Sequence, residues 1–268
     1  MNNRNIFPAS YDGVRQLVER LRNPDGCPWD RDQTSDSLKH QLIEECYELL
    51  EAIEEDDTTK MVEELGDVLF NVALQIQIAR ESKRFTQEDV FASMLDKLVR
   101  RHPHVFGDVK MDDASEAVTR WDAIKRKELE GSDRSILDGV PKAMPALSYA
   151  QAIRNRAARM GFDWDNYTGE LYKIGEELRE LQEAQSYEER EHELGDVLFT
   201  VVNTAAWLDL EAETALRQAN SRFYRRFTTM ERLSRERGLA FDELPLDRKE
   251  ELWQESKNIE NQNRQDLL

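Results

Sequence analysis

Apolar residues along the chain recur every three to four positions. Val14, Leu17, Val18 and Leu21 predict a first helix over 11–23. A loop follows, Asn23-Pro24-Asp25-Gly26-Cys27-Pro28. A second helix is expected over 35–55, with Leu38, Leu42, Glu45, Leu49 and Ala52 near one face. Asp56-Asp57-Thr58-Thr59 reads as a turn and helix start, with Thr59 and Glu63 close to a capping arrangement. The next helix runs from Lys60 to Lys83, and another covers 87–101 before Pro103 stops it. Further helices are expected over 114–130, 146–159, 169–185, 187–208, 212–237 and 247–264. No segment carries a convincing strand pattern, so the expected fold is all-α.

The pattern occurs twice. Leu65-Gly66-Asp67-Val68-Leu69-Phe70 returns as Leu194-Gly195-Asp196-Val197-Leu198-Phe199, and Glu64 and Glu193 precede the two copies. Upstream lie Glu44, Glu45 and Glu48 in one copy and Glu176, Glu177 and Glu180 in the other. Downstream, Lys97, Arg100 and Arg101 match Arg222, Arg225 and Arg226 in spacing, and Trp121 and Lys125 match Trp253 and Lys257. Trp29-Asp30 and Trp164-Asp165 agree more loosely at the entry. An ordered series at nearly constant offset indicates a duplication. It predicts an N-terminal repeat over 1–132, a Gly- and Pro-bearing linker over 133–145 and a C-terminal repeat over 146–268.

Within each repeat the acids have a geometry. Glu45 and Glu48 are three apart and share a helix face, as do Glu64 and Asp67 on the next helix. A short turn makes the two helices antiparallel neighbours, so the four carboxylates converge. Glu177, Glu180, Glu193 and Asp196 repeat the arrangement. Facing carboxylates repel unless a cation lies between them, and an oxygen-only set suits Mg²⁺, with Mn²⁺ as a substitute. A di-iron site would need a Glu-x-x-His pair on two helices, and only Glu189 and His192 form one. A Glu-rich helix face is ordinarily just solvated. Asp67 and Asp196 argue against that, because each interrupts an apolar run, where partial burial is expected. Gly66 and Gly195 in mid-helix are read as permitting close helix approach or substrate access.

Charge narrows the candidates. Lys and Arg number 37 against 55 Asp and Glu, a net charge of −18, which disfavours binding of a nucleic acid polymer. A small phosphorylated substrate is compatible if cations neutralise it locally. No run of about 18 apolar residues is present, so no membrane span is expected. No signal pattern opens the chain, and a cytoplasmic location is expected. Cys27 and Cys46 read as ordinary reduced thiols. Arg222 and Arg226, one turn apart, could clamp phosphate, as could Lys97 and Arg101, unless they are plain surface cations. Trp253 either stacks on a base, with Lys257 reaching phosphate, or belongs to the core.

These motifs together resemble the MazG family of nucleoside triphosphate pyrophosphohydrolases, whose signature is Glu-Glu-x-x-Glu followed by Glu-x-x-Asp. The chain carries it twice, with a shorter gap in the second copy, Glu180 to Glu193 against Glu48 to Glu64. Gly26-Cys27-Pro28-Trp29-Asp30 with Gln33-Thr34, Arg100-Arg101-His102-Pro103-His104-Val105-Phe106, Leu137-Asp138-Gly139-Val140-Pro141 and Gly161-Phe162-Asp163-Trp164 fit its two-domain members. His102 and His104 have no repeat counterpart and are read as structural. The resemblance implies homodimers whose helices complete a bundle across the interface, Mg²⁺, and hydrolysis of NTPs and dNTPs to the monophosphate and pyrophosphate with broad base tolerance. It implies Glu177, Glu180, Glu193 and Asp196 as metal ligands, with Glu45, Glu48, Glu64 and Asp67 as their counterparts. It also implies substrate contacts from Lys173 to Glu177, Glu189 to His192, Asp196, Arg222 to Arg226, Trp253 and Lys257.

The expected reaction is attack of a metal-activated water on the α-phosphorus, with Glu44 or Glu176 orienting or deprotonating that water. Lys and Arg would stabilise charge on the leaving pyrophosphate. The arginine-richer second repeat is the expected principal catalytic domain, and the first is either active too or serves dimerisation and regulation. Two rivals remain. One is a helical pyrophosphohydrolase with a single narrow substrate such as dUTP or a phosphoribosyl-nucleotide. The other is an interaction or sensor protein whose acids bind metal structurally.

Overall fold

The computed structural model describes residues 6–107, 135–163 and 167–265, together with Asp113, Arg120 and Ile124. The chain divides into two compact units, Met1–Trp121 and Asp122–Leu268. The described residues form helices joined by turns, with no strand among them. The expected repeat boundary at 132/133 lies outside the described residues, as does the expected helix 114–130 apart from Arg120 and Ile124, which are both helical.

The first unit contains α1 (Tyr11–Arg22), α2 (Pro28–Asp32), α3 (Lys39–Glu54), α4 (Thr58–Glu81), α5 (Gln87–Arg101) and α6 (Pro103–Phe106). Ser10 caps α1 by accepting from the Gly13 amide at 3.3 Å. The short helices α2 and α6 escape the periodicity argument because each is a turn or so long and opens on a proline at its first position. Asp57, not Thr59, is the N-cap of α4, and its carboxylate accepts from the Thr59 and Lys60 amides at 3.0 and 3.1 Å. Its neighbour Asp56 takes a left-handed φ of 54° to reverse the chain. That three-residue turn sets α3 antiparallel to α4. Val18, Leu38 and Leu74 form the core between α1, the entry to α3, and α4. Arg22 secures the same corner: its side chain is 8% exposed, donates to Glu81 at 2.6 Å and to the Gln33 carbonyl at 3.1 Å, and also reaches the Asp30 carbonyl. The guanidinium holds the Glu81 carboxyl below its ordinary pKa.

The second unit contains α7 (Ala146–Ala158), α8 (Tyr167–Glu183), α9 (Tyr187–Trp207), α10 (Ala212–Glu236) and α11 (Leu246–Gln265). The described part of the expected linker is fastened to this unit, since Arg156 donates to the Ile136 and Gly139 carbonyls at 2.9 and 3.0 Å. Buried Gln151 on α7 accepts from the Ala212 amide and donates to the Leu210 carbonyl, both at 2.8 Å, which ties α7 to the α9–α10 turn. Met230, Leu233 and Leu252 make the core between α10 and α11, with Phe241, Leu244, Trp253 and Ile259 packed around them.

Candidate active site

In both units the acids converge where two antiparallel helices face each other. Carboxylate oxygens of Glu45, Glu48 and Glu64 lie within 4.8 Å of one another between α3 and α4, and those of Glu177, Glu180 and Glu193 do the same between α8 and α9. Three of the four expected acids in each repeat are thus gathered. The fourth behaves differently in each. Asp67 stays close enough to repel Glu45 and Glu64. Asp196 sits 3.4 Å from His192 Nε2.

Crowding leaves an electrostatic mark. Burial, then Asp67, pushes the Glu45 carboxyl above its ordinary pKa. Burial followed by Glu48 and Asp67 raises Glu64, and burial followed by Glu177 and Glu193 raises Glu180. Beyond burial, part of each rise is repulsion that a divalent cation among these oxygens would relieve. The donor set is oxygen-only in both triads, which fits a hard ion.

Several expectations need correction. Asp67 is exposed, not partly buried, whereas Asp196 is half-exposed. The apolar run around each aspartate remains open to solvent within one chain: Val62, Leu65 and Val72 are exposed in the first unit, and Leu194, Leu198, Phe199 and Val201 in the second. A Cβ added at Gly66 or Gly195 would meet nothing within 4 Å, so neither glycine serves a close helix approach inside the chain.

The expected substrate residues divide into those at the acids and those engaged elsewhere. Lys173 Nζ lies 2.9 Å from both Glu176 Oε1 and Glu177 Oε1, and those bonds hold its ammonium above the ordinary lysine pKa. Glu177 is buried. Glu189 is the capping-box partner of Ser186, accepting from the Gln185 and Ser186 amides at 2.7 and 3.1 Å, so its carboxylate closes the N-terminus of α9. Arg225 and Arg226 are bound by Glu260 of α11, at 2.9 and 2.7 Å. Arg222 lies one turn before Arg226 on α10. Trp253 packs 5.5 Å from the Phe223 ring, with the Arg226 guanidinium 5.7 Å from its own ring centre, so it is a core-edge residue in the free chain. Lys257 follows one turn later on α11. Lys97, Arg100 and Arg101 lie in the C-terminal half of α5, while Trp121 and Lys125 fall outside the described residues. Glu44 is exposed, 3.9 Å from His40 Nδ1, and Glu176 is engaged by Lys173. His102 Nδ1 contacts the Leu98 carbonyl at 2.6 Å, in keeping with a structural role at the end of α5.

Sequence reasoning passed over four residues of these helices. Glu260 is one, recognisable only once α11 is seen to fold back on α10. Glu170 on α8 is 1% exposed, and burial raises its carboxyl despite the opposing pull of Arg154. Gln41, which hydrogen-bonds Glu45, stands at the repeat position of Lys173. Asn71 on α4 is 1% exposed one turn past Asp67. Its helical spacing from Asp67 was the available signal.

Fold and site together define an all-helical protein of two compact units, each presenting an oxygen-only cluster between paired helices. Comparison with known proteins identifies the family. A family model described as the MazG nucleotide pyrophosphohydrolase domain matches residues 33–106, which include the first acidic cluster. The chain is 45% identical over 247 residues to a nucleoside triphosphate pyrophosphohydrolase/pyrophosphatase MazG of Thermotoga maritima, covering 92% of this chain and 95% of that one. It is 41% identical over 256 residues to a nucleoside triphosphate pyrophosphohydrolase of Escherichia coli, covering 93% and 97%. An uncharacterised protein of Bacillus subtilis, YabN, is 44% identical over 254 residues, 93% of this chain and 52% of that one. The chain belongs to the MazG family of nucleotide pyrophosphohydrolases.

Proposed function

We propose that the protein hydrolyses nucleoside triphosphates between the α- and β-phosphates, releasing the monophosphate and pyrophosphate, with Mg²⁺ at the acidic clusters. The observation that carries this reading is the convergence of three carboxylates in each unit of a MazG-family chain. Bound there, Mg²⁺ would neutralise phosphate charge and lower the pKa of a coordinated water. Glu45, Glu48 and Glu64, with Asp67, would hold the ion in the first unit, and Glu177, Glu180 and Glu193, with Asp196, in the second.

The chain supplies the remaining chemistry. Glu44 and Glu176 flank the ligand positions and would take the proton of the attacking water. Lys173 brings a positive charge to the second cluster, where it would meet a phosphate oxygen as the substrate arrives. Arg222, Arg225 and Arg226 on α10 would steady the departing pyrophosphate, which requires Arg225 and Arg226 to exchange Glu260 for phosphate. These cations favour the second unit as the principal catalytic one. Because the acidic clusters bind only the phosphate end, broad tolerance of bases and a role in clearing the nucleotide pool follow from the same reading.

Homodimerisation is part of the proposal. The hairpins expose contiguous apolar side chains beside the acids, a pattern that marks an interaction surface. No helix among the described residues is long and apolar enough to cross a membrane, and a cytoplasmic setting suits the proposed substrates. Product analysis on a panel of NTPs and dNTPs tests the function. Wild type should release pyrophosphate and monophosphate with Mg²⁺, and Asp67→Asn and Asp196→Asn should each lower turnover. Nucleoside diphosphate plus orthophosphate as products would overturn the assignment.

A further inference from the structure

Among the described residues, four buried side-chain polar atoms have no hydrogen-bond partner: Asn71 Oδ1 in the first unit, and Glu170 Oε2, Asn203 Oδ1 and Trp207 Nε1 in the second. Their positions follow a rule. Asn71 lies seven residues beyond Glu64 on α4, on the same stripe as Glu64 and Asp67. Asn203 and Trp207 extend the stripe of Glu193 and Asp196 on α9. Glu170 lies seven residues before Glu177 on α8, and the register that pairs Glu180 with Glu193 sets Glu170 opposite Asn203. In each hairpin the unpartnered atoms therefore fall on the same side of the acids. At 1.5 Å per residue, Asn71 is about 10 Å along the helix from Glu64, and Asn203 about 15 Å from Glu193.

The first seam changes chemistry along its length. One end holds Glu45, Glu48 and Glu64. The other holds neutral amides, Asn71 and Gln75, the latter donating to the Ser35 carbonyl at 3.2 Å, while Gln41, bonded to Glu45, lies between the two ends. Asn71 Nδ2 donates to the Asp67 carbonyl at 3.1 Å, which fixes the amide and leaves Oδ1 as its free acceptor. An acceptor buried without a partner costs about 1–3 kcal/mol. Such a defect, repeated in both hairpins at the same side of the site, marks a place where a ligand completes the bond. A nucleoside triphosphate has the matching polarity: its phosphates need cations, and its nucleoside offers N–H and O–H donors.

We propose that each seam continues from the acids into a nucleoside-binding end, where Asn71 in the first unit and Asn203 in the second accept a hydrogen bond from the base or sugar. This inference rests on the function proposed above and locates the substrate's neutral half. The two ends differ: the first unit offers amides, while the second adds Glu170 and the Trp207 indole N–H. The two sites therefore rank nucleosides differently.

Calorimetry on the full chain with Mg²⁺ tests this, using α,β-methylene ATP as the nucleotide and tripolyphosphate as a triphosphate with no nucleoside. Asn71→Leu in a Glu193→Gln background reports on the first unit, and Asn203→Leu in a Glu64→Gln background on the second. Each leucine should weaken nucleotide binding tenfold or more and leave tripolyphosphate binding within twofold. Equal weakening of both ligands, no change in either, or no nucleotide binding in the parent backgrounds overturns the inference. Leucine removes a buried unpartnered atom, so the melting temperature should hold or rise; Asn71→Ser and Asn203→Ser, which are smaller, guard against a packing artefact. Pyrophosphate release by wild type separates the two readings. Turnover with leucine variants that bind normally sinks this inference alone, and no release from any nucleotide sinks the function beneath it.

Discussion

Lys173 Nζ lies 2.9 Å from Glu177 Oε1, so the second acidic cluster carries its own cation. The repeat offset that takes Glu44 to Glu176 is 132 residues, and it takes Gln41 to Lys173. The two clusters, alike in their acids, therefore differ by one positive charge at the same position.

That charge difference predicts unequal metal affinity. Without nucleotide, Mn²⁺ should bind the first cluster more tightly than the second, because Lys173 competes for the same oxygens. Lys173→Gln should raise the second site's affinity by roughly tenfold, which corresponds to about 1.4 kcal/mol. Mn²⁺ titrations of Glu193→Gln, which keeps the first cluster, and Glu64→Gln, which keeps the second, would read the difference. Equal affinities in the two would show that Lys173 does not compete.

The raised carboxyls predict a pH dependence with a definite sign. Glu45, Glu64 and Glu180 have folded pKa values above the ordinary 4.5. Such groups contribute stability that is full below 4.5 and is lost as pH rises through their raised values. Over the same interval the ligands deprotonate, so metal affinity should increase. Thermal melts in chelator across this range, for wild type and Glu64→Gln, isolate the contribution of one group. The wild type's stability relative to the variant should fall as pH rises. A difference that is flat or rising with pH contradicts the assignment.

Much of this site was legible in the sequence because it obeys helical spacing. Glu45 and Glu48, or Glu177 and Glu180, share a face at any helix length, and a short turn brings the next helix alongside. An apolar run ordinarily means burial, yet Asp67 is exposed because Val62 and Leu65 beside it remain uncovered in the single chain. Glu189 is expected at the substrate on the family resemblance, and its position three residues after Ser186 is also the capping-box position. Spacing alone does not separate those roles. The Glu260 contacts depend on how α11 folds back on α10, which periodicity does not specify.

Glu260 should be a structural clasp. Its side chain is 15% exposed, and burial would raise its pKa, but the hydrogen bonds from Arg225 and Arg226 outweigh that and hold it low. Glu260→Gln leaves two arginines facing a neutral amide, at a cost of about 1–3 kcal/mol. Chemical denaturation should show that loss. If the arginines turn to phosphate during the reaction, the variant should also bind nucleotide more tightly, since one competitor is gone. Unchanged stability would mean that the clasp is ornamental.

The exposed faces of the hairpins give the sharpest test of pairing between chains. Ile43, Tyr47 and Leu50 recur at helical spacing on α3, and Val62, Leu65 and Val72 do so on α4. Leu65 is 53% exposed in the single chain. If that surface met only water, Leu65→Glu would change stability by no more than about 0.5 kcal/mol. If a second copy covers it, the glutamate places an unpaired charge in an apolar interface and the assembly comes apart. Sedimentation should then move from twice the chain mass of 31.4 kDa to the mass itself. Leu194→Glu, at the matching position of α9, asks the same of the second unit. If the chain sediments as a single copy before either substitution, the proposed dimer fails, and the open apolar faces would need another partner.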